Sequence, residues 1–344
     1  MTNHNPQLPY FSPLLPWQAQ AWEQLVHQFY DDKLPHGLLA SGMAGIGKRA
    51  FVWRAVAWLL CQNKSQDKGQ DGACGACESC TWLIAGTHPD LLVLPSASLP
   101  TSDNNEPSSI KIDDIRSVQE YSHSKGHGLR LIVLDYADKL TLGAGNALLK
   151  TLEEPRFGVH LILITDHPTK LLPTIKSRVQ VLPLNTIIYD GALQFVADKL
   201  GDVDLARLTL NLADGAVLRA VDLPNQAWFD KRVLWLKTWL ALRAGTRLPI
   251  LASDYWQGVL SFTDFVVLTR LMLADVVRVN LGMDSLHTDI DIKNLMNNQS
   301  QSKPLSLEKL EIFLTKLDDL LTATAQNVQE KMAYDEIFCD LTDL

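Results

Sequence analysis

Gly42-Met43-Ala44-Gly45-Ile46-Gly47-Lys48 follows an apolar run and opens a helical pattern, the setting in which a G-x-x-x-x-G-K turn cradles phosphate. Gly42, Gly45 and Gly47 let backbone N–H groups turn toward phosphate oxygens, the helix N-terminus adds partial positive charge, and Lys48 can reach terminal phosphates. The next position ordinarily carries a Ser or Thr hydroxyl for Mg²⁺. Here it is Arg49, a cation that cannot ligate the metal and repels it. Such a site is completed by an apolar strand ending in Asp-Glu, whereas Leu131-Ile132-Val133-Leu134 ends in Asp135-Tyr136. Asp135 can still face a metal, but a phenol with a pKa of about 10 is a poor base for orienting water. Asp138 is expected to cap the turn that follows. The glycine turn alone also fits a strand-to-helix junction with no ligand. Two losses at independent positions predict a phosphate-loop core that does not hydrolyse ATP and does not bind it productively.

Four of the five cysteines lie within twenty positions, Cys61 and then Cys74-x-x-Cys77-x-x-Cys80. A closed shell of four thiolates suits tetrahedral zinc and leaves no position for a catalytic water, so the spacing predicts a structural site pinning an insert to the core. The pattern speaks against a disulfide framework. An iron–sulfur cluster competes for the same ligands, and scattered buried thiols are the alternative without a metal. Cys339 stands apart and is expected to be a core residue.

Positioning these groups requires a sheet. From Gly37 to about Leu184, strands are expected at Gly37–Ser41, Asp90–Pro95, Arg130–Tyr136, His160–Thr165 and Val179–Leu184, as near-continuous apolar runs buried on both faces of a parallel sheet. Helices are expected at Lys48–Cys61, Asp113–Ser124, Ala144–Glu154 and Leu171–Ser177, with Asp113 as an N-cap and Pro155 as a stop. This alternation predicts an α/β phosphate-loop domain over 1–184, carrying the cysteine module (61–80) as an insert. Segments 62–73 and 96–109 are polar and expected to be surface loops. Beyond Leu184, Tyr189–Leu200 and Asp204–Ala213 read as short helices, with breaks at Gly215–Ala220 and Pro224. Ala227–Ala244, Phe262–Leu281 and Leu307–Asp340 then read as helices of a packed bundle. A small helical segment at 185–226 and an all-α domain at 227–344 follow.

The chain has 344 residues, too many for one compact core. With 47% hydrophobic and 20% charged residues it has the composition of a soluble globular protein. A net charge of −8 and the lack of a long Lys/Arg block argue against a protein that coats nucleic acid alone. A contribution to DNA binding within an assembly stays open. No stretch reaches the ~18 unbroken apolar residues of a membrane span, and the N-terminus lacks a signal pattern, so the cytoplasm is the expected location.

Ile112-Asp113-Asp114-Ile115-Arg116, Leu131–Lys139, Asn146-Ala147-Leu148-Leu149-Lys150-Thr151-Leu152-Glu153-Glu154-Pro155, and the cysteine insert followed by Gly86-Thr87-His88-Pro89-Asp90 resemble bacterial clamp loaders. These are AAA+ proteins, ATPases associated with diverse cellular activities. The resemblance is specific over about residues 15–184 and diffuse beyond. The eroded loop and absent glutamate resemble the stationary, non-hydrolysing member of the pentameric ring that loads a sliding clamp onto primed DNA. The resemblance implies gamma/tau-type ATPase subunits and a delta subunit as partners, and a place in the replicative DNA polymerase holoenzyme. It also implies a lid at 185–226 and an oligomerising collar at 227–344.

Thr174-Ile175-Lys176-Ser177-Arg178-Val179 resembles the family's Ser-Arg-Cys element, with valine in place of cysteine. The family's arginine reaches the γ-phosphate held by a neighbouring subunit, and the resemblance gives that role to Arg178. Such fingers contribute ~10³–10⁵ in rate. On the residues alone, Arg178 reads rather as an arginine before an edge strand, paired with a nearby carboxylate. Thr165 matches the position that senses the γ-phosphate, or it satisfies a strand-end backbone group. Gly215-Ala216-Val217-Leu218-Arg219 resembles the later sensor element. Active members carry its arginine where Leu218 stands, so Arg219 is expected to be a surface charge. Two other readings are an active clamp-loader ATPase that tolerates Arg49, and a zinc-containing DNA-binding module.

Overall fold

A computed structural model describes residues 9–64, 72–100, 107–123, 128–185, 187–297, 306–325 and 329–344. Parts of the expected loops at 62–73 and 96–109, and the expected helix end at Ser124, lie outside these residues. The chain divides into two compact units, Met1–Ala192 and Leu193–Leu344.

The first unit is a parallel α/β sandwich. Its strands are β1 (Gly37–Ser41), β2 (Leu91–Leu94), β3 (Arg130–Leu134), β4 (Val159–Thr165) and β5 (Gln180–Val181), in the order β2-β3-β4-β1-β5. All four pairings are parallel, with Ser41 opposite Thr165 and Leu134 opposite Leu163. The helices of this unit begin with α1 (Ala19–Tyr30), α2 (Lys48–Leu60), α3 (Glu78–Ile84), α4 (Ile112–His123), α5 (Leu142–Glu153) and α6 (Pro173–Lys176). The two-residue period of a strand sorts the core into two layers. Leu38, Ala40, Leu131, Val133, Ile162 and Ile164 face Trp22, Phe51 and Trp58 of α1 and α2, together with Cys61, Cys77 and Cys80. Leu39, Ile132, Leu134, Leu161 and Leu163 face Ile115, Val118, Leu148 and Leu152 of α4 and α5. Both faces are covered, which is why the strands read as unbroken apolar runs.

Several boundaries differ from expectation for local reasons. Asp113 lies inside α4 and does not cap it; the carboxylate of Asp114 instead accepts from the Lys111 N–H at 2.7 Å. β5 holds two residues, not six: after Leu182 donates to the Leu39 carbonyl at 2.9 Å, Pro183 has no N–H to continue the ladder. α6 starts at Pro173, because a residue before proline is held extended, as Leu172 is at ψ 133°.

The second unit is all helix. α7 (Tyr189–Leu200) leads from the first unit, followed by α8 (Val203–Leu212), α9 (Val217–Asp222), α10 (Arg232–Arg243), α11 (Pro249–Gln257), α12 (Phe262–Asn280), α13 (Ile292–Asn297), α14 (Leu307–Ala325) and α15 (Glu330–Asp343). α9 forms where a break was expected at Gly215–Ala220. Two helices replace the single one expected over Leu307–Asp340. They run antiparallel, Lys309 reaching the Asp343 carbonyl and Lys316 reaching Asp340. α10 starts five residues later than expected, after tight turns that bury Trp228 and Phe229. Trp235 and Trp239 stack with ring centroids 6.0 Å apart, and Trp256, Phe265, Tyr334 and Phe338 form a second aromatic group. Cys339 is exposed on α15, not in the core as expected. Among the described residues no helix is long and apolar enough to cross a membrane.

Candidate functional site

The carboxyl ends of β1, β4 and β3 lie side by side, the edge at which parallel sheets bind ligands. β1 runs into the glycine turn. Gly45 and Gly47 sit at φ 87° and 85°, and Gly47 caps α2 in the left-handed region that a side chain would oppose. Trp17 and Gln18 tie the turn down, donating to the carbonyls of Ile46 at 2.9 Å and Gly47 at 3.0 Å. A side chain at Gly42 would collide with the Asn185 carboxamide.

Lys48 is only 2% exposed. Its ammonium donates to the carbonyls of Gly42 at 2.9 Å and Met43 at 3.0 Å, and to the carboxylate of Asp166. Asp166 follows Thr165 at the end of β4. Arg49 spans the remainder of the site: Nε donates to both oxygens of Asp135, at 3.1 and 2.9 Å, and Nη2 to Asp166 Oδ2 at 2.8 Å. Its guanidinium lies 4.5 Å from the ring centroid of Tyr136, whose backbone is left-handed at φ 54°. Burial works against the charge on Arg49, but the hydrogen bonds to Asp166 and Asp135 outweigh it and raise its pKa. Burial opposes the charge on Asp166 as well, yet Arg49 and Lys48 hold its carboxyl below the usual range. Burial dominates at Lys48 and lowers its pKa.

Two cations and two carboxylates therefore cancel in the space a phosphate chain would enter. The Thr165 hydroxyl is engaged too, donating to Asp138 Oδ1 at 2.6 Å and accepting from the His167 N–H at 3.0 Å. Asp138 thus holds Thr165 and does not cap the following turn.

The four cysteines converge as a second centre. Cys61 follows the last residue of α2, Cys74 and Cys77 lead into α3, and Cys80 lies within it. The sulfurs of Cys61 and Cys77 are 4.0 Å apart, those of Cys74 and Cys80 3.9 Å, and all four lie within 4.8 Å of one another. Zinc with thiolates at ~2.3 Å requires tetrahedral edges of ~3.8 Å, so this spacing fits a single ion. N–H groups of Cys74, Cys77 and Cys80 point at the sulfurs of Cys61, Cys74 and Cys77, at 3.4, 3.3 and 3.5 Å. Ser79 and His88 brace the module. His88 Nδ1 accepts from the Asp90 N–H at 3.1 Å, leaving Nε2 to donate to Ser79 Oγ at 2.8 Å, which donates to the Leu60 carbonyl at 2.7 Å.

The model of a family described as DNA polymerase III, delta subunit, matches residues 17–187. A Pseudomonas aeruginosa protein named DNA polymerase III subunit delta' is 36% identical over 225 residues, 64% of this chain. That stretch is also 64% of the relative, so the chain spans a little under two thirds of its length. A delta' subunit from Haemophilus influenzae is 26% identical over 324 residues, 92% of this chain and 94% of the relative. Over these stretches this chain is similar to delta' subunits of DNA polymerase III. Among solved structures, a gamma subunit-related protein from Thermotoga maritima covers 95% of this chain and 99% of its own, at 17% identity and a TM-score of 0.46.

Arg178, whose flanking residues resemble the Ser-Arg-Cys element, lies between α6 and β5. Arg178 is 36% exposed at its side chain and bridges Glu153 Oε1 at 2.8 Å, while Nη1 donates to the Thr174 carbonyl at 3.0 Å. The structure brings Lys48, Arg49, Asp135 and Tyr136 together, with Thr165 beside them. Asp166 is the member of the site that sequence reasoning missed. Its one signal was position, a carboxylate directly after an apolar strand that ends beside the glycine turn.

Proposed function

We propose that this chain is a non-hydrolysing subunit of a DNA polymerase III clamp loader, one that helps place a sliding clamp on primed DNA. The relatives' names support a place beside the other subunits of that polymerase. The network of Lys48, Arg49, Asp135 and Asp166 is the observation that carries the reading. A guanidinium stands where a metal-binding hydroxyl is needed, it holds the carboxylate that would face the metal, and a second carboxylate occupies the phosphate-binding lysine. Tyr136 supplies no base. Gly42, Gly45, Gly47, Lys48, Asp135 and Thr165 form a degenerate nucleotide site that is neutral before any ligand arrives.

The chain acts on ATP through Arg178, presented to the site of a neighbouring gamma/tau-type subunit. The bridge to Glu153 is no obstacle. Partly exposed ion pairs contribute about 0–1 kcal/mol, so a phosphate dianion easily replaces the carboxylate. Residues 185–226 serve as a lid and 227–344 as the collar that joins a pentamer containing delta. The assembly works in the cytoplasm.

Cys61, Cys74, Cys77 and Cys80 hold a structural zinc ion, which when bound contributes folding energy and no catalysis. In a direct test the isolated chain shows no Mg²⁺-dependent ATP turnover but raises turnover when added to its ATPase partners. Turnover by the chain alone, abolished by Lys48→Ala, would refute the reading.

A further inference from the structure

A divalent ion bound by four thiolates carries a net charge of −2, and this shell is largely buried: Cys61, Cys77 and Cys80 are all inside. Uncompensated charge in such a setting is costly. The backbone N–H groups aimed at the sulfurs offset part of it, but they are neutral. The adjoining cavity, ≈540 Å³, is lined by Glu78 and Asp90 as well as Cys61, and these carboxylates add to the negative field.

Among the described residues that line this cavity, Lys64 is the cation. Lys64 comes three residues after Cys61, and its ammonium donates to the Cys61 carbonyl at 2.7 Å. The same nitrogen lies 5.0 Å from the ring centroid of Phe29 and 5.9 Å from that of Trp58. Both are aromatic faces that favour a cation and keep water from it. We propose that Lys64 is the charge-compensating residue of the four-cysteine centre, fixed by the Cys61 carbonyl and two aromatic rings so that its ammonium stabilises the metal-loaded, fully deprotonated thiolate shell. Partners outside the ligand shell commonly tune metal affinity by 10–100-fold, and a charge held in place by packing is screened less by salt than a free one. The inference rests on the reading of the cysteine cluster as a metal centre.

Zinc release from the full-length chain to a chromogenic chelator tests it, comparing wild type, Lys64→Gln and Lys64→Arg. Gln keeps a donor for the Cys61 carbonyl and loses the charge; Arg keeps the charge. Lys64→Gln should lose zinc about tenfold faster, and Lys64→Arg should hold it nearly as long as wild type. After zinc removal, wild type and Lys64→Gln should melt together. Equal release rates from zinc-loaded wild type and Lys64→Gln would overturn the assignment. So would a Lys64→Gln chain already less stable without zinc, since packing on Phe29 and Trp58 would then explain the loss. A wild-type chain that takes up neither zinc nor cobalt(II), read by the thiolate-to-cobalt absorption, would overturn the metal centre itself.

Discussion

Arg49 Nε donates to both carboxylate oxygens of Asp135, at 3.1 and 2.9 Å, so the residue in the magnesium-ligand position holds the acid that would face the magnesium. The departure from a working phosphate loop is thus more than a missing hydroxyl. The substitution has been built into the fold.

Removing Arg49 should therefore cost stability. Arg49→Ala leaves Asp135 buried without its cation, and breaking a buried pair costs about 3–5 kcal/mol. The guanidinium is 31% exposed, which places the expected loss near ~3 kcal/mol in urea unfolding at neutral pH. Arg49→Met combined with Asp135→Leu should recover much of it. A loss below about 1 kcal/mol for Arg49→Ala would show that the pair is only a surface contact.

Asp166 should act as an internal competitor of phosphate. In Asp166→Asn, Lys48 and Arg49 face a neutral amide and the site gains positive charge. Titration with a fluorescent ATP analogue without magnesium should show affinity at least about tenfold above wild type, or ~1.4 kcal/mol. Wild type that binds as tightly as the variant would show that the carboxylate does not guard the loop.

The parallel sheet and the helical second half were legible because β1, β3 and β4 are buried on both faces and read as continuous apolar runs, whereas β5, with Val181 half exposed, kept only two of its six expected residues. Arg49 and Tyr136 were legible as departures from a required chemistry. Asp166 was not: it lies 118 residues from Lys48, and only the β1–β4 pairing brings the two together. The same is true of Asp138, which reads as a turn cap until β4 delivers the Thr165 hydroxyl to it. The expected helix over Leu307–Asp340 failed because helical periodicity persists on both sides of the break between α14 and α15.

The second unit carries an acid-sensitive centre. Asp275 is fully buried; burial would raise its pKa, but hydrogen bonds from His287, the Leu286 and His287 N–H groups and the Ser285 hydroxyl bring it from 3.8 to about 2. A carboxyl with a depressed folded pKa contributes stability above its unfolded pKa and loses it as pH falls through the folded one. The contribution here is about 2 kcal/mol, lost between about pH 4 and pH 2. Unfolding followed across that range should show this decline in wild type. Asp275→Asn should be less stable at neutral pH and lack that part of the slope; an unchanged slope would contradict the assignment.

Chelation separates the four clustered cysteines from the fifth. Stripping zinc, or Cys77→Ser, should lower the melting temperature of the first unit, because ion binding is folding energy. Cys339→Ser, at an exposed position, should leave both zinc content and melting unchanged. Iron with visible absorption in the purified protein would replace zinc by an iron–sulfur cluster.

The most direct measurement is ATP turnover by a reconstituted clamp loader carrying wild-type chain or Arg178→Ala. The variant gives up a partly exposed bridge to Glu153 and exposed hydrogen bonds to Thr174 and Ser177, so it should fold and assemble normally. If Arg178 serves the neighbouring site, clamp-loading ATPase should fall by about 10³-fold at that site, with nucleotide affinity little changed. Wild-type turnover in a fully assembled Arg178→Ala complex would contradict the account.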